Sequence, residues 1–242
     1  MTSPRLLAVP LLAALAIGAF GGCASTPAAA PSDAPSTSPS ADSEIDAAWL
    51  DAGRVIALVT AGSSTCVPVA EEASLEADGS LAVTLAEPDA ETACTRDFVP
   101  RVTLVEVPEG VDPAQELAIT VSGAGVSGQV ELDGVEVMPT DDGMTDYLPS
   151  AGWTGTDGQF VLLTWGSSSC VPVISEVTAS APAEVTVAFQ TPPADQVCTM
   201  DMAPRATVAV VTGLEEDQDV TLVLTGTAEY DGVRIAILGE ND

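Results

Sequence analysis

The chain has 242 residues, with 36 Asp and Glu against 6 Lys and Arg, no His, and a formal charge of −30. All of its cations are arginines (Arg5, Arg54, Arg96, Arg101, Arg205 and Arg234), and there is no lysine. Such a balance does not suit DNA, RNA or an anionic membrane surface, whose contacts rest on clustered Lys and Arg. Without His or Lys, a Ser-His-Asp triad, a Cys-His pair, a Schiff-base lysine and a histidine-ligated zinc are all excluded.

Residues 6–22 carry no charge and follow Arg5. They form a short basic start, an apolar run interrupted by Pro10 and an end in small residues, which is the pattern of an export signal. The run is short for a permanent span, which needs about 20 residues. Phe20-Gly21-Gly22-Cys23 resembles the lipobox of bacterial lipoproteins. The resemblance implies cleavage before Cys23 and acylation of its thiol, so that the mature chain is held on the extracytoplasmic face of the cell membrane by lipid. Two or more acyl chains anchor stably where one does not.

Residues 23–44 are rich in Pro, Ser, Thr and Ala, without aromatic or large aliphatic side chains before Glu44. Such a segment cannot bury enough surface to fold and is expected to be a disordered tether. Extended at up to about 3.1 Å per residue, it reaches roughly 60 Å.

The rest of the chain is an internal repeat. Trp49…Gly62-Ser-Ser-Thr-Cys66-Val-Pro-Val69 recurs as Trp153…Gly166-Ser-Ser-Ser-Cys170-Val-Pro-Val173, displaced by 104, with 10 of 21 positions identical. At the same displacement Cys94-Thr-Arg-Asp97-Phe-Val-Pro-Arg101 returns as Cys198-Thr-Met-Asp201-Met-Ala-Pro-Arg205. Further on, Gln115 and Gly123 align with Gln218 and Gly226, and Asp133-Gly-Val135 with Asp231-Gly-Val233. Two domains are expected, 45–138 and 151–242, joined by an acidic, turn-rich linker at 139–150.

In chain order, the period-two and apolar runs of the first copy predict strands at 54–60, 67–70, 81–86, 101–107, 117–122 and 130–137. Those of the second fall at 159–165, 171–174, 184–189, 205–211, 220–225 and 228–237. Gly, Pro and Asp separate them and no amphipathic helix intervenes. An all-β fold of two tandem small antiparallel sandwiches is expected, with a mixed barrel shared by both repeats as the alternative.

Cys66 and Cys94 are 28 residues apart, as are Cys170 and Cys198. Four cysteines permit three pairings; duplication of a unit selects the one within each copy. An exported chain keeps such pairs oxidised.

The repeated Gly-Ser-Ser-x-Cys turn lacks the Gly-x-Ser-x-Gly elbow of serine hydrolases and has no His base. Asp97 with Arg101, and Asp201 with Arg205, are the charged pairs present in both copies, read as ion pairs or turn clamps beside each disulfide, with the arginine as a carboxylate or phosphate hook as the alternative. Asp141-Asp142, Asp146 and Glu215-Glu216-Asp217 fit no dedicated calcium loop and point to weak, diffuse divalent-cation binding. A hydrolase working with carboxylates alone needs two acids about 5–9.5 Å apart in a cleft. Trp49 and Trp153 are expected to fill the two cores. Trp165 stands where the first copy has Ala61, and is the candidate contact residue if its face is exposed.

The lipobox, the tether and the repeated Gly-Ser-Ser-x-Cys…Cys-Thr-x-Asp-x-x-Pro-Arg pattern together resemble uncharacterised envelope lipoproteins of high-GC Gram-positive bacteria. That group supplies no activity to carry over. The expectation is a non-catalytic binding or protein-interaction module with an envelope protein as partner and no cofactor. The alternatives are a structural or cation-buffering envelope component and a carboxylate-only hydrolase.

Overall fold

A computed structural model describes residues 43–136, 144–215 and 218–241. The leader, Cys23, the tether up to residue 42, Asp141-Asp142 and Glu216-Asp217 lie outside the described residues. Within them the chain is all-β, with no α-helix and seven strands in each copy. The first copy contains β1 (Asp46–Leu50), β2 (Val55–Gly62), β3 (Val69–Leu75), β4 (Leu81–Ala86), β5 (Val99–Glu106), β6 (Leu117–Gly123) and β7 (Val126–Leu132). The second contains β8 (Ser150–Trp153), β9 (Gln159–Gly166), β10 (Ile174–Ala181), β11 (Glu184–Phe189), β12 (Ala203–Val210), β13 (Thr221–Thr225) and β14 (Val233–Leu238).

Sequence periodicity finds β4 and β11 to the residue but misses β1 and β8. Asp-Ala-Ala-Trp-Leu and Ser-Ala-Gly-Trp contain no β-branched residue, so they carry little strand signal of their own. The pairing also corrects the alignment at the end of each copy. Six residues separate the paired Val121 and Gly128, whereas eight separate Leu224 and Val233. Asp133-Gly-Val135 therefore follows β7, while Asp231-Gly-Val233 leads into β14, and the last hairpin of the second copy is the longer one.

In the first copy β1-β2-β5 and β3-β4-β6-β7 form two sheets. Trp49, Ile56, Leu58 and Val105 from one meet Leu81, Val83, Leu85, Ile119 and Val121 from the other in one core. Trp49 also donates its indole N–H to the Asp133 carbonyl at 2.8 Å. The second copy repeats this arrangement around Trp153, Phe160, Leu162, Val187 and Leu222. There, a short parallel pairing of β14 with β8 joins all seven strands into one sheet. Both tryptophans thus fill the cores as expected. The sheets are mixed, not antiparallel throughout, because β4 pairs β6 and β11 pairs β13 in parallel. Parallel neighbours need a crossover, which β5 supplies from the other sheet of its copy and β12 from the far edge of the seven-stranded sheet.

A third core corrects the expectation of two separate sandwiches. Ala48, Leu50, Ala57 and Val59 pack directly on Val161 and Leu163, flanked by Val102, Leu104, Ala206 and Val208. β2 therefore faces its own core with Ile56 and Leu58 and the other copy with Ala57 and Val59. Burial on both faces explains the unbroken apolar run in β2 and in β9. The copies are stacked on a shared core, as units of a repeat protein are, and the mixed barrel does not form.

The stacking has a direction. Thr156 Oγ1 donates to Asp46 Oδ2 at 2.9 Å, and Asp51 N donates to Ser150 Oγ at 2.9 Å. Asp46 and Ser150 occupy equivalent positions, and their donors Thr156 and Asp51 fall one place apart in the repeat, so the copies touch near-reciprocally, as across an approximate two-fold axis. Gly152 lies at this crossing, where a Cβ would sit 2.1 Å from the Trp49 carbonyl oxygen. Consequently, the Cys66 end of the first copy and the Cys170 end of the second lie at opposite ends of the body. β1 begins opposite Val59, toward the Cys66 end of β2, and Ser43 N bonds the Ser127 carbonyl at 2.7 Å. The chain therefore enters the body at the Cys66 end.

Candidate functional site

The repeated motif builds one corner in each copy. Disulfides join Cys66 to Cys94 and Cys170 to Cys198, with Cα–Cα distances of 5.3 and 5.5 Å. Asp97 accepts from the Ser64 amide at 3.2 Å and from the Thr95 hydroxyl. Asp201 accepts from the Ser168 amide at 3.1 Å and from the Thr199 hydroxyl. The hydroxyls of Ser63 and Thr95, and of Ser167 and Thr199, complete the polar cluster. Every Ser, Thr and Asp of the motif is therefore occupied in tying the two cysteine segments together.

The arginines have a different task. Arg101 Nη1 donates to the Cys66 carbonyl, and Arg205 Nη1 to the Cys170 carbonyl at 3.1 Å. Their guanidinium groups lie directly against Gly62 and Gly166, where a Cβ would come within 2.4 and 2.8 Å. This accounts for the glycine that opens each motif. It also corrects the expected ion pairs: Asp97 and Arg101, like Asp201 and Arg205, bond to separate partners. The ion pairs among the described residues are Asp51–Arg54 and Glu184–Arg234, at 2.8 and 2.7 Å, and a long Glu229–Arg205 contact at 3.9 Å.

The Ser64 and Thr95 hydroxyls and the Ser64 amide hold the Asp97 carboxyl at about 2. Ser168 and Thr199 do the same for Asp201, also at about 2. A depressed folded pKa contributes stability that is present above the unfolded value, about 3.9, and lost as pH falls through the folded value. The urea midpoint of the Asp97→Asn, Asp201→Asn double variant should therefore fall less steeply than that of the wild type between about pH 4 and 2. Parallel curves would show that the two corners do not favour the ionised carboxylates.

The two corners differ at three points. In the first, Thr103 Oγ1 donates to the Pro68 carbonyl at 2.9 Å and holds the Val67–Val69 segment down. The equivalent Thr207 makes no such bond, and Pro172 is only half-buried where Pro68 is buried. In the first, Arg101 Nε reaches Thr60 Oγ1 at 3.4 Å. In the second, Thr164 Oγ1 turns to the Arg205 carbonyl at 3.3 Å, leaving Arg205 Nε buried with no protein acceptor. Finally, the longer β13–β14 hairpin delivers Tyr230, which has no counterpart in the first copy. Its hydroxyl donates to the Trp165 carbonyl at 2.7 Å and accepts from Arg205 Nη2. Burial pushes the Tyr230 phenol up to about 12, against the favourable field of Arg205.

A cleft of about 740 Å³ lies in the second corner, with Pro172, Arg205 and Tyr230 among its lining residues. Val171, Pro172, Val173, Pro192, Pro193 and Tyr230 supply apolar wall, and Arg205 and Glu229 the charge. A shallower hollow of about 350 Å³ lies between the first corner and the second copy, lined by Ser64, Val67, Pro100, Arg101 and Val208 among others. Glu229 is the one acid lining the larger cleft, and the smaller hollow has none. Among the described residues, no group of three or more Asp, Glu or Cys is placed to hold a metal ion.

The exposed face required for Trp165 to serve as a contact is met only in part. Trp165 is half-buried beside the shared core, its indole N–H is enclosed, and Tyr147 packs edge-on against it at 5.2 Å. The larger apolar exposure lies around the second disulfide, where Val197 is 89% and Met200 fully exposed. Sequence reading missed Tyr230 and the Pro192-Pro193 wall; the usable signal was the divergence of the copies there. These features define a disulfide-stapled β-repeat body whose second corner carries a larger cleft than its twin. No family model, no curated protein and no solved structure matches the chain.

Proposed function

We propose that the chain is a lipid-anchored, extracytoplasmic, non-catalytic binding module of the cell envelope. On this reading Cys23 carries the lipid and the Pro/Ser tether lifts the body from the membrane. Each copy packs a core of its own and shares a third with its twin, and the Cys170–Cys198 corner is the working end. The observation that carries this reading is the asymmetry of the corners on an otherwise repeated frame. The motif is retained in both copies, yet the second combines the larger cleft with exposed Val171, Val173, Val197, Met200 and Met202, where the first has a smaller hollow beside exposed Val69 and Phe98. Contiguous exposed apolar surface of this kind marks interaction sites. The working end also lies opposite the end at which the chain enters the body at Ser43.

A photoreactive side chain introduced at Met200 in the full-length protein in intact cells tests this reading. A single envelope protein should be captured in near-equal amount from position 200 and not from Phe98, which lies at the tether end and is also exposed. Equal capture of abundant envelope background from both positions would overturn the proposal in favour of a structural or cation-buffering component.

A further inference from the structure

We propose that the Cys170–Cys198 disulfide is a thiol-exchange site: small thiols enter the cleft of the second corner and open it, while Cys66–Cys94 and the fold persist. The exchange needs no partner protein, so it stands apart from the binding reading above. Cys170 and Cys198 both line the cleft, whose volume of about 740 Å³ lies in the range that admits small molecules. Neither Cys66 nor Cys94 lines the smaller hollow beside the first corner. Cys94 and Cys198 are both exposed, so the attacked residue does not separate the two disulfides. Their partners do: Cys66 is 4% exposed, whereas Cys170 is half-buried and lines the cleft.

The chemistry is a displacement along the S–S axis. A thiolate attacks Cys198 Sγ, a new S–S bond to Cys198 forms as the bond to Cys170 breaks, and Cys170 leaves as a thiolate that takes a proton from water. A second thiolate then attacks the sulfur of the bound thiol, releasing Cys198 and a small disulfide. Two small thiols are oxidised and one protein disulfide is reduced. The charge on Cys170 forms where solvent in the cleft can reach it. Attack at Cys94 would instead place the charge on buried Cys66, where it is poorly solvated and its departure slow. The arginines do not alter this comparison, because Arg101 and Arg205 each donate to the carbonyl of the leaving cysteine. The adjoining chain reinforces it. Thr103 holds the Pro68 carbonyl at 2.9 Å, a bond with no counterpart at Thr207, so the segment after Cys170 is freer to let the leaving sulfur move away.

The test is to incubate the oxidised, folded mature chain with excess 2-mercaptoethanol, quench with iodoacetamide and map the products by mass spectrometry. Cys23→Ser leaves only the two pairs to report. Opening of Cys170–Cys198 should be about tenfold faster than that of Cys66–Cys94, with native tryptophan fluorescence throughout. Early products should carry mercaptoethanol on Cys198 and the alkyl label on Cys170. Ala228→Trp, at an exposed position on the cleft wall, should slow this opening toward the rate of the first pair and leave the first pair unchanged. Equal rates for the two pairs, opening only in urea that unfolds the chain, an early adduct on Cys170, or a wild-type rate in Ala228→Trp would each overturn the proposal. Capture of a protein at position 200 without selective opening would remove the exchange site and leave the binding module standing; selective opening without capture would do the reverse.

Discussion

Leu163→Asp should destabilise the whole body by about 3–5 kcal/mol, the cost of an uncompensated buried charge. Leu163 is fully buried in the core that the two copies share, against Ala48, Leu50, Ala57 and Val59. The nearest means of relief is separation of the copies, which would bring the apolar outer faces of β1, β2 and β9 into water. For that reason the loss should not be confined to the second copy. Urea unfolding followed by tryptophan fluorescence should remain one transition, displaced as a whole, because Trp49 and Trp153 report from the two sides of the shared core. A biphasic curve with one half at the wild-type midpoint would mean that the copies fold independently and that the shared core contributes little.

Removing both disulfides should cost roughly 7 kcal/mol in the chain-entropy model, about 3.5 for each loop. That is comparable with the entire stability of an ordinary domain, so the reduced chain should be unfolded or nearly so at room temperature. Each disulfide spans a sequence separation of 28 residues. The native surroundings break this symmetry. Cys66 is buried and its neighbour Pro68 is held by Thr103, whereas Cys170 is half-buried in an opened corner. Cys66→Ala with Cys94→Ala should therefore be more damaging than Cys170→Ala with Cys198→Ala. Urea midpoints of the two double variants, and of the wild type with and without reductant, measure this. A midpoint unmoved by reductant would show that the corners are held by their hydrogen bonds alone.

Much of the corner was legible because duplication exposes which residues a shared geometry requires. Gly62 and Gly166, the four cysteines and the Asp and Arg positions recur because each fills one steric or hydrogen-bonding place. The partners of the charges were not legible. Asp97 and Arg101 stand four residues apart, which suggests a pair, but extended chain covers about 13 Å over four residues. The acid instead turns to the Ser64 amide and the arginine to the Cys66 carbonyl. The last hairpin was misaligned for a related reason. Asp-Gly-Val recurs in the sequence, but strand register follows the pairing of Val121 with Gly128 and of Leu224 with Val233.

By itself the sequence determined the all-β class, the duplication, the disulfide pairing and the positions of most strands. These follow from local periodicity and from the repetition of one motif, which need no knowledge of what lies across the fold. The tertiary structure alone decided that the copies share a core and lie antiparallel across an approximate two-fold, because an apolar run such as β2 shows burial on both faces without naming the second neighbour. It also decided that the two corners differ. That outcome depends on whether Thr103 reaches a carbonyl that its twin Thr207 does not, and on where two extra hairpin residues carry Tyr230. Both are relations between segments far apart in sequence, and only packing brings them together.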